Sequence, residues 1–270
     1  MTPTSTTTRD AALDRQAWTS VALACLILAG WLVGHVYAVW FLDVAEQPVL
    51  AVALFAWQTW LSVGLFIVAH DCMHGSFAPF RPWVNRWAGR IALRLYMGFS
   101  YDRLIAKHHA HHRYAGRPGD PDFDENHPRD GWRWYWTFMW RYLDWYVFWV
   151  TGAIVITYVA LLTLHGGPSR GMHILFWAGP SLVASMQLFY FGTFRPHRHE
   201  DGPEGEAGFA DEHNSRSNDF PVWASLLTCF HFGYHHEHHD NPHVPWWRLP
   251  AMRRAALAAG AAREPDGVPA

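Results

Sequence analysis

Histidine is the residue type best placed to do chemistry in this chain. There are 19, and most stand in a few short strings. His70 and His74 bound His-Asp-Cys-Met-His, and His108, His109, His111 and His112 form His-His-Ala-His-His. His197 ends Phe-Arg-Pro-His, and His231, His235, His236, His238 and His239 make up His-Phe-Gly-Tyr-His-His-Glu-His-His. Side chains three or four residues apart on a helix are neighbours. His70 with His74, His108 with His111 and His112, and His235 with His238 and His239 therefore each present imidazoles to one point. A neutral imidazole binds metal at pH 7 with little deprotonation. One ion takes about four to six ligands, so eight converging imidazoles imply two ions.

Neighbours of these strings extend the candidate set. His197 is expected as a ninth ligand. His231, four residues before His235, is expected to be either a ligand or a partner to one. Asp71, Asp120, Asp122, Glu237 and Asp240 adjoin the histidines, and a ligating imidazole commonly donates its other N–H to a carboxylate. Asp124 and Glu125 read as solvated charges. His109 and His236 point about 100° away from their helical neighbours and are left aside. The three cysteines, Cys25, Cys72 and Cys229, form no CxxC pair, which removes thiolate zinc and iron–sulfur sites. Zinc would suit hydrolysis, whereas iron or copper would activate dioxygen against a hydrocarbon.

The choice among these depends on the elements that hold the histidines. Mean hydropathy is only −0.08, yet the 16% of charged residues leave four long runs without any. These are spans near 17–42, 48–70, 145–169 and 171–194, each long enough as a helix for a hydrocarbon core of about 30 Å. Gly166, Gly167 and Pro168 turn the third span into the fourth. Lys and Arg number two in residues 1–16, eleven in 71–144 and seven in 195–270, but none in 43–47 and one in 165–171. Basic loops favour the cytoplasmic side, so both termini and every histidine string fall on that side of the cytoplasmic membrane. The fold expected is an all-α integral membrane protein of four spans with a cytoplasmic histidine-rich di-metal cap. Oxygen chemistry at the mouth of an apolar bundle suits this placement better than hydrolysis.

The segment Trp83 to Leu95 reads as an interfacial helix. Trp83, Val84, Trp87, Ile91 and Leu95 form one arc, with Arg86, Arg90 and Arg94 beside it reaching to headgroups. Residues 1–16 and 251–270 read as mobile ends around a single domain over 17–250. A net charge of −2 gives no basis for nucleic-acid binding. A metal transporter would need polar residues within the spans, which offer little beyond Gln58, Gln187 and some Ser and Thr.

The three boxes, His-x3-His, His-x2-His-His and His-x2-His-His, resemble the membrane di-iron desaturase and hydroxylase superfamily. The strings Phe-Gly-Thr-Phe-Arg-Pro-His-Arg (191–198), His-Phe-Gly-Tyr-His-His-Glu-His-His (231–239) and Pro-His-Val-Pro-Trp-Trp-Arg-Leu-Pro (242–250) are similar to bacterial β-carotene ketolases. Arg195 departs from the apolar residue expected there. The resemblance implies oxidation of C4 and C4′ of β-ionone rings by two hydroxylations and loss of water. β-Carotene would become echinenone and canthaxanthin, and zeaxanthin would be carried towards astaxanthin. It implies two irons held by the boxes and His197, dioxygen as co-substrate, a carotenoid drawn from the bilayer and electrons from a donor such as ferredoxin. Carotenoid hydroxylases and fatty-acyl desaturases share the boxes and are the nearest alternatives.

Overall fold

In the computed structural model, residues 4–199, 209 and 213–261 are described. Among them the structure is helical, with no strand. The helices are α1 (Thr4–Trp40), α2 (Pro48–His74), α3 (Pro82–Met97), α4 (Tyr101–Tyr114), α5 (Gly131–Tyr142), α6 (Trp145–Gly166), α7 (Pro168–Gly171), α8 (Leu175–Phe189), α9 (Arg195–His197), α10 (Val222–Cys229), α11 (His235–Asp240) and α12 (Leu249–Ala261). Four stretches are long and apolar enough to cross a membrane: Arg9–Trp40, Pro48–His74, Trp145–Gly166 and Met172–His197. These correspond to the four charge-free runs.

Helix α2 is the hub of the bundle, packing against α1, α3 and α8. Its sequence places Pro48 in the first turn, where a missing N–H leaves no bond unmade, and stops at Gly75 with φ 69°. That left-handed turn, which glycine adopts without strain, halts the helix one residue past His74. The first histidine box therefore sits on the last turns of a buried span. Of the polar residues in the spans, Gln58 donates to Trp31 O at 2.9 Å and Gln187 donates to Thr228 O. Both tie helices together.

The fourth span does not stay α-helical. Tyr190–Phe194 is a π-helix between α8 and α9. An extra residue per turn rotates the next stretch of helix, so that His197 is buried and turned into the cap. Within the π segment, any side chain at Gly192 would collide with the Phe232 ring.

Three features go beyond the sequence reading. Residues 4–16 continue α1 as helix, with Gln16 donating to Ser76 O at 2.8 Å and Arg81 bonded to Asp14 at 2.6 Å; residues 1–3 lie outside the described part. Residues 251–261 belong to α12, held by Arg253, and 262–270 lie outside the described part. Arg86 and Arg90 of α3 fork onto the two oxygens of Asp102 on α4 instead of standing towards headgroups. The apolar arc is as read: Trp83 and Trp87 are exposed. Helix α5 repeats this pattern, with Trp132, Trp136 and Trp140 exposed at every fourth residue.

Candidate metal centre

Helices α2, α4, α9 and α11 converge where α2 leaves the bundle, and nine imidazoles meet there in two groups. In the first, His70 and His74 of α2, His108 and His112 of α4 and His238 of α11 have nitrogens within 4.8 Å of one another. In the second, His111 of α4, His197 of α9 and His235 and His239 of α11 do the same. The helical boxes divide between the groups. His108 and His112, four residues apart, share the first while His111 faces the second; His235 and His239 share the second while His238 faces the first.

Nitrogen faces nitrogen across each group. The Nε2–Nε2 distances are 2.6 Å for His74–His108, 3.1 Å for His112–His238, 3.0 Å for His197–His235 and 3.0 Å for His235–His239. Two nitrogens each about 2.1 Å from one ion and at right angles to each other would stand roughly 3 Å apart. His70 Nε2 is buried without a hydrogen-bond partner, a state that a ligand would resolve. Burial first, then crowding by the other imidazoles, pushes His108, His112, His238 and His239 below the ordinary histidine range. The residues are therefore neutral donors, suited to a divalent metal.

The supporting carboxylates behave differently from one another. Asp120 accepts from His111 Nδ1 at 3.0 Å, which turns His111 Nε2 towards the second group. Asp120 itself is fixed by the N–H groups of Gly116 and Asp122, at 2.9 and 2.8 Å. Burial opposes charge on His111, while Asp120 and Asp122 beside its Nδ1 favour the N–H donated there. Asp122 Oδ2 stands 3.8 Å from His111 Nδ1, and its carboxyl, raised by burial to about 6, accepts the hydroxyl of Tyr142.

The other three carboxylates and His231 make their hydrogen bonds and ring contacts mainly elsewhere. Asp71 accepts from Trp246 N–H at 3.0 Å and lies 3.8 Å from His70 Nδ1; it ties the first box to the chain leaving the third. Glu237 accepts from Ser217 and, at 2.9 Å, from Arg253, anchoring α11 to α12. Asp240 is exposed and accepts from Asn241. His231 precedes α11 and has φ 63° after Phe230 at φ 48°, so its four-residue spacing to His235 is not helical. It is buried between Tyr234 and Trp246. Asp124 is buried, not solvated, accepting from Asn126 N–H and the Thr137 hydroxyl.

Some parts of the site carry no sequence signal. Asn214 C=O accepts from His197 Nδ1 at 2.7 Å, an orientation that only the fold creates. Phe232 packs on His70, His235 and His238, filling the space that Gly192 leaves. Arg195 lies over the Phe220 ring at 5.2 Å and touches no candidate ligand.

A largely apolar cavity opens beside both groups. Phe66, Tyr96, Phe138, Met139, Leu188 and Phe189 line it together with His70 and His108 of the first group and His111 and His235 of the second. Such a cavity can hold an apolar ring against the centre and keep water from it.

The fatty acid desaturase family matches residues 46–157 and 139–265. β-Carotene ketolases from two Paracoccus strains are 50% identical over 236 residues, 87% of this chain and 92% of theirs. A zeaxanthin 4-ketolase of Chlamydomonas reinhardtii is 34% identical over 255 residues, 91% of this chain and 55% of that one. A human sphingolipid delta(4)-desaturase is more distant, at 26% over 214 residues, 75% of this chain and 64% of that one. The chain belongs to the fatty acid desaturase family and, within it, to the β-carotene ketolases.

Proposed function

We propose that the chain oxidises C4 and C4′ of β-ionone rings to ketones, taking β-carotene to echinenone and canthaxanthin and zeaxanthin towards astaxanthin. The observation that carries this reading is an apolar cavity lined by imidazoles of both groups. A C40 polyene dissolves in hydrocarbon, and a ring entering from the spans would meet this cavity before it met water. Two irons bound by His70, His74, His108, His112 and His238 and by His111, His197, His235 and His239 would supply the redox chemistry, with dioxygen as co-substrate and electrons from a donor such as ferredoxin. The protein's part is positional. The aromatic wall holds the ring and excludes water, Asp120 keeps His111 in one orientation, and Asn214 does so for His197. C3 lies one bond from C4, so selectivity rests on how the wall sets the ring.

The distribution of Lys and Arg favours a centre and both termini on the cytoplasmic side of the inner membrane. Cells making β-carotene, with and without the chain, provide the test. The reading predicts a mass gain of one oxygen less two hydrogens per ring. Gain of a whole oxygen per ring as the end product would instead make it a hydroxylase, and altered lipids with unchanged carotenoid would make it an acyl enzyme.

A further inference from the structure

We propose that Asp122, held by Tyr142, binds the alcohol formed at C4 by the first oxidation and keeps that ring in place for the second. The pair would thereby decide between ketone and alcohol as the product. This rests on the ketolase reading above. A ketone requires two oxidations of one carbon, and the first changes what the cavity must hold. The ring enters as hydrocarbon and becomes an alcohol whose O–H is buried. An unpaired buried hydroxyl costs about 1–3 kcal/mol, which would drive the alcohol back to the interface unless the wall supplies an acceptor close to the metal groups.

Beside its imidazoles, the cavity wall carries one carboxylate, Asp122, and the hydroxyls of Tyr96, Tyr142, Ser185 and Thr193. Ser185 is already engaged, donating to Leu182 O at 2.7 Å and paired with Tyr135 at 2.8 Å. Asp122 lies beside the second group, its Oδ2 3.8 Å from His111 Nδ1. His111 nevertheless gives that N–H to Asp120 at 3.0 Å, so Asp122 is not consumed in holding the imidazole. One Asp122 oxygen takes the Tyr142 hydroxyl, and a carboxylate has roughly four acceptor positions. Lys107 Nζ lies 4.4 Å from the centre of the Tyr142 ring and Arg141 caps Phe123 O, fixing the loop and the helix that carry the pair. An acceptor beside His111 would hold the new hydroxyl while the remaining C4–H stays turned to the centre.

The test uses the full chain in membranes, with β-carotene and a 4-hydroxy carotenoid as separate substrates and metal content measured throughout. Asp122→Leu, which removes the acceptor, should accumulate 4-hydroxy product and raise KM for the 4-hydroxy substrate about tenfold, the equivalent of one hydrogen bond; Tyr142→Phe, which keeps the carboxylate but no longer fixes its direction, should do the same to a smaller degree. The readout is the KM for the 4-hydroxy substrate relative to that for β-carotene, since a hydrocarbon ring offers nothing to bond. The Tyr142 hydroxyl is bonded to Asp122 and not to an imidazole, so Tyr142→Phe decides the matter if Asp122→Leu loses metal. An unchanged ketone-to-alcohol ratio and unchanged KM in Tyr142→Phe would overturn the proposal, as would a Thr193→Val variant that produced the shift in its place. A wild-type chain yielding no C4 product at all would remove the ketolase reading itself, a result distinct from an unchanged ratio.

Discussion

The two imidazole groups differ in construction more than in composition. The first has five members, of which His74, His108 and His112 are only half-buried. They brace one another edge to face, as in His74 against His108 and His112. The second has four members, all buried, and two of them are oriented from behind, His111 by Asp120 and His197 by Asn214. A group with a surplus ligand and partial access to solvent can lose one member and still bind. A buried group of four, aimed by particular acceptors, has no such reserve.

That difference can be broken by substitution. His197→Ala should abolish ketone formation in carotenoid-producing cells, whereas His74→Ala should leave measurable product, since four imidazoles remain in its group. Equal loss in both variants would erase the distinction. Asp120→Asn should lower activity by about 10–100-fold, with the metal of the second group lost more readily to a chelator than that of the first. If metal retention in Asp120→Asn equalled the wild type, His111 would not depend on its carboxylate.

The smallest effect is expected where α3 meets α4, which supplies both groups. Asp102 accepts from Arg90 and Arg86, and these bonds hold its carboxyl below the ordinary aspartate value. A group lowered in the folded state contributes stability above its unfolded pKa and loses it as pH falls through the folded one. The pair is exposed, so the contribution is small and weakened by salt. Asp102→Asn should therefore lower Tm slightly near neutral pH and not at all in acid, with both groups affected alike. A larger effect in acid than at pH 7 would contradict that sign.

Much of this organisation was legible in the sequence. Spans announce themselves as runs without charge, because no face of a lipid-exposed helix can carry one, and the boxes announce themselves by three- and four-residue spacing. The division between groups was not legible, although helix geometry explains it afterwards. His111 and His112 differ by about 100° around α4, and only the positions of α9 and α11 decide which direction leads where. For Asp71, Glu237 and His231, adjacency in the chain does not give the partners that the fold supplies. Their partners, Trp246, Arg253 and the Tyr234–Trp246 pair, come from packing. The same holds for the N-terminal and C-terminal helices, whose anchors at Ser76 and Glu237 are distant in sequence or hidden inside a box. The π-helix at Tyr190–Phe194 reflects no residue preference in that stretch; only the close fit of Gly192 to Phe232 marks it.

Metal content of the purified full-length chain tests the central claim most directly. Two groups of imidazoles predict about two irons per chain, falling to about one in His197→Ala while the protein remains folded in its membrane. A single ion per chain in the wild type, or stoichiometric zinc with no iron in active preparations, would contradict it.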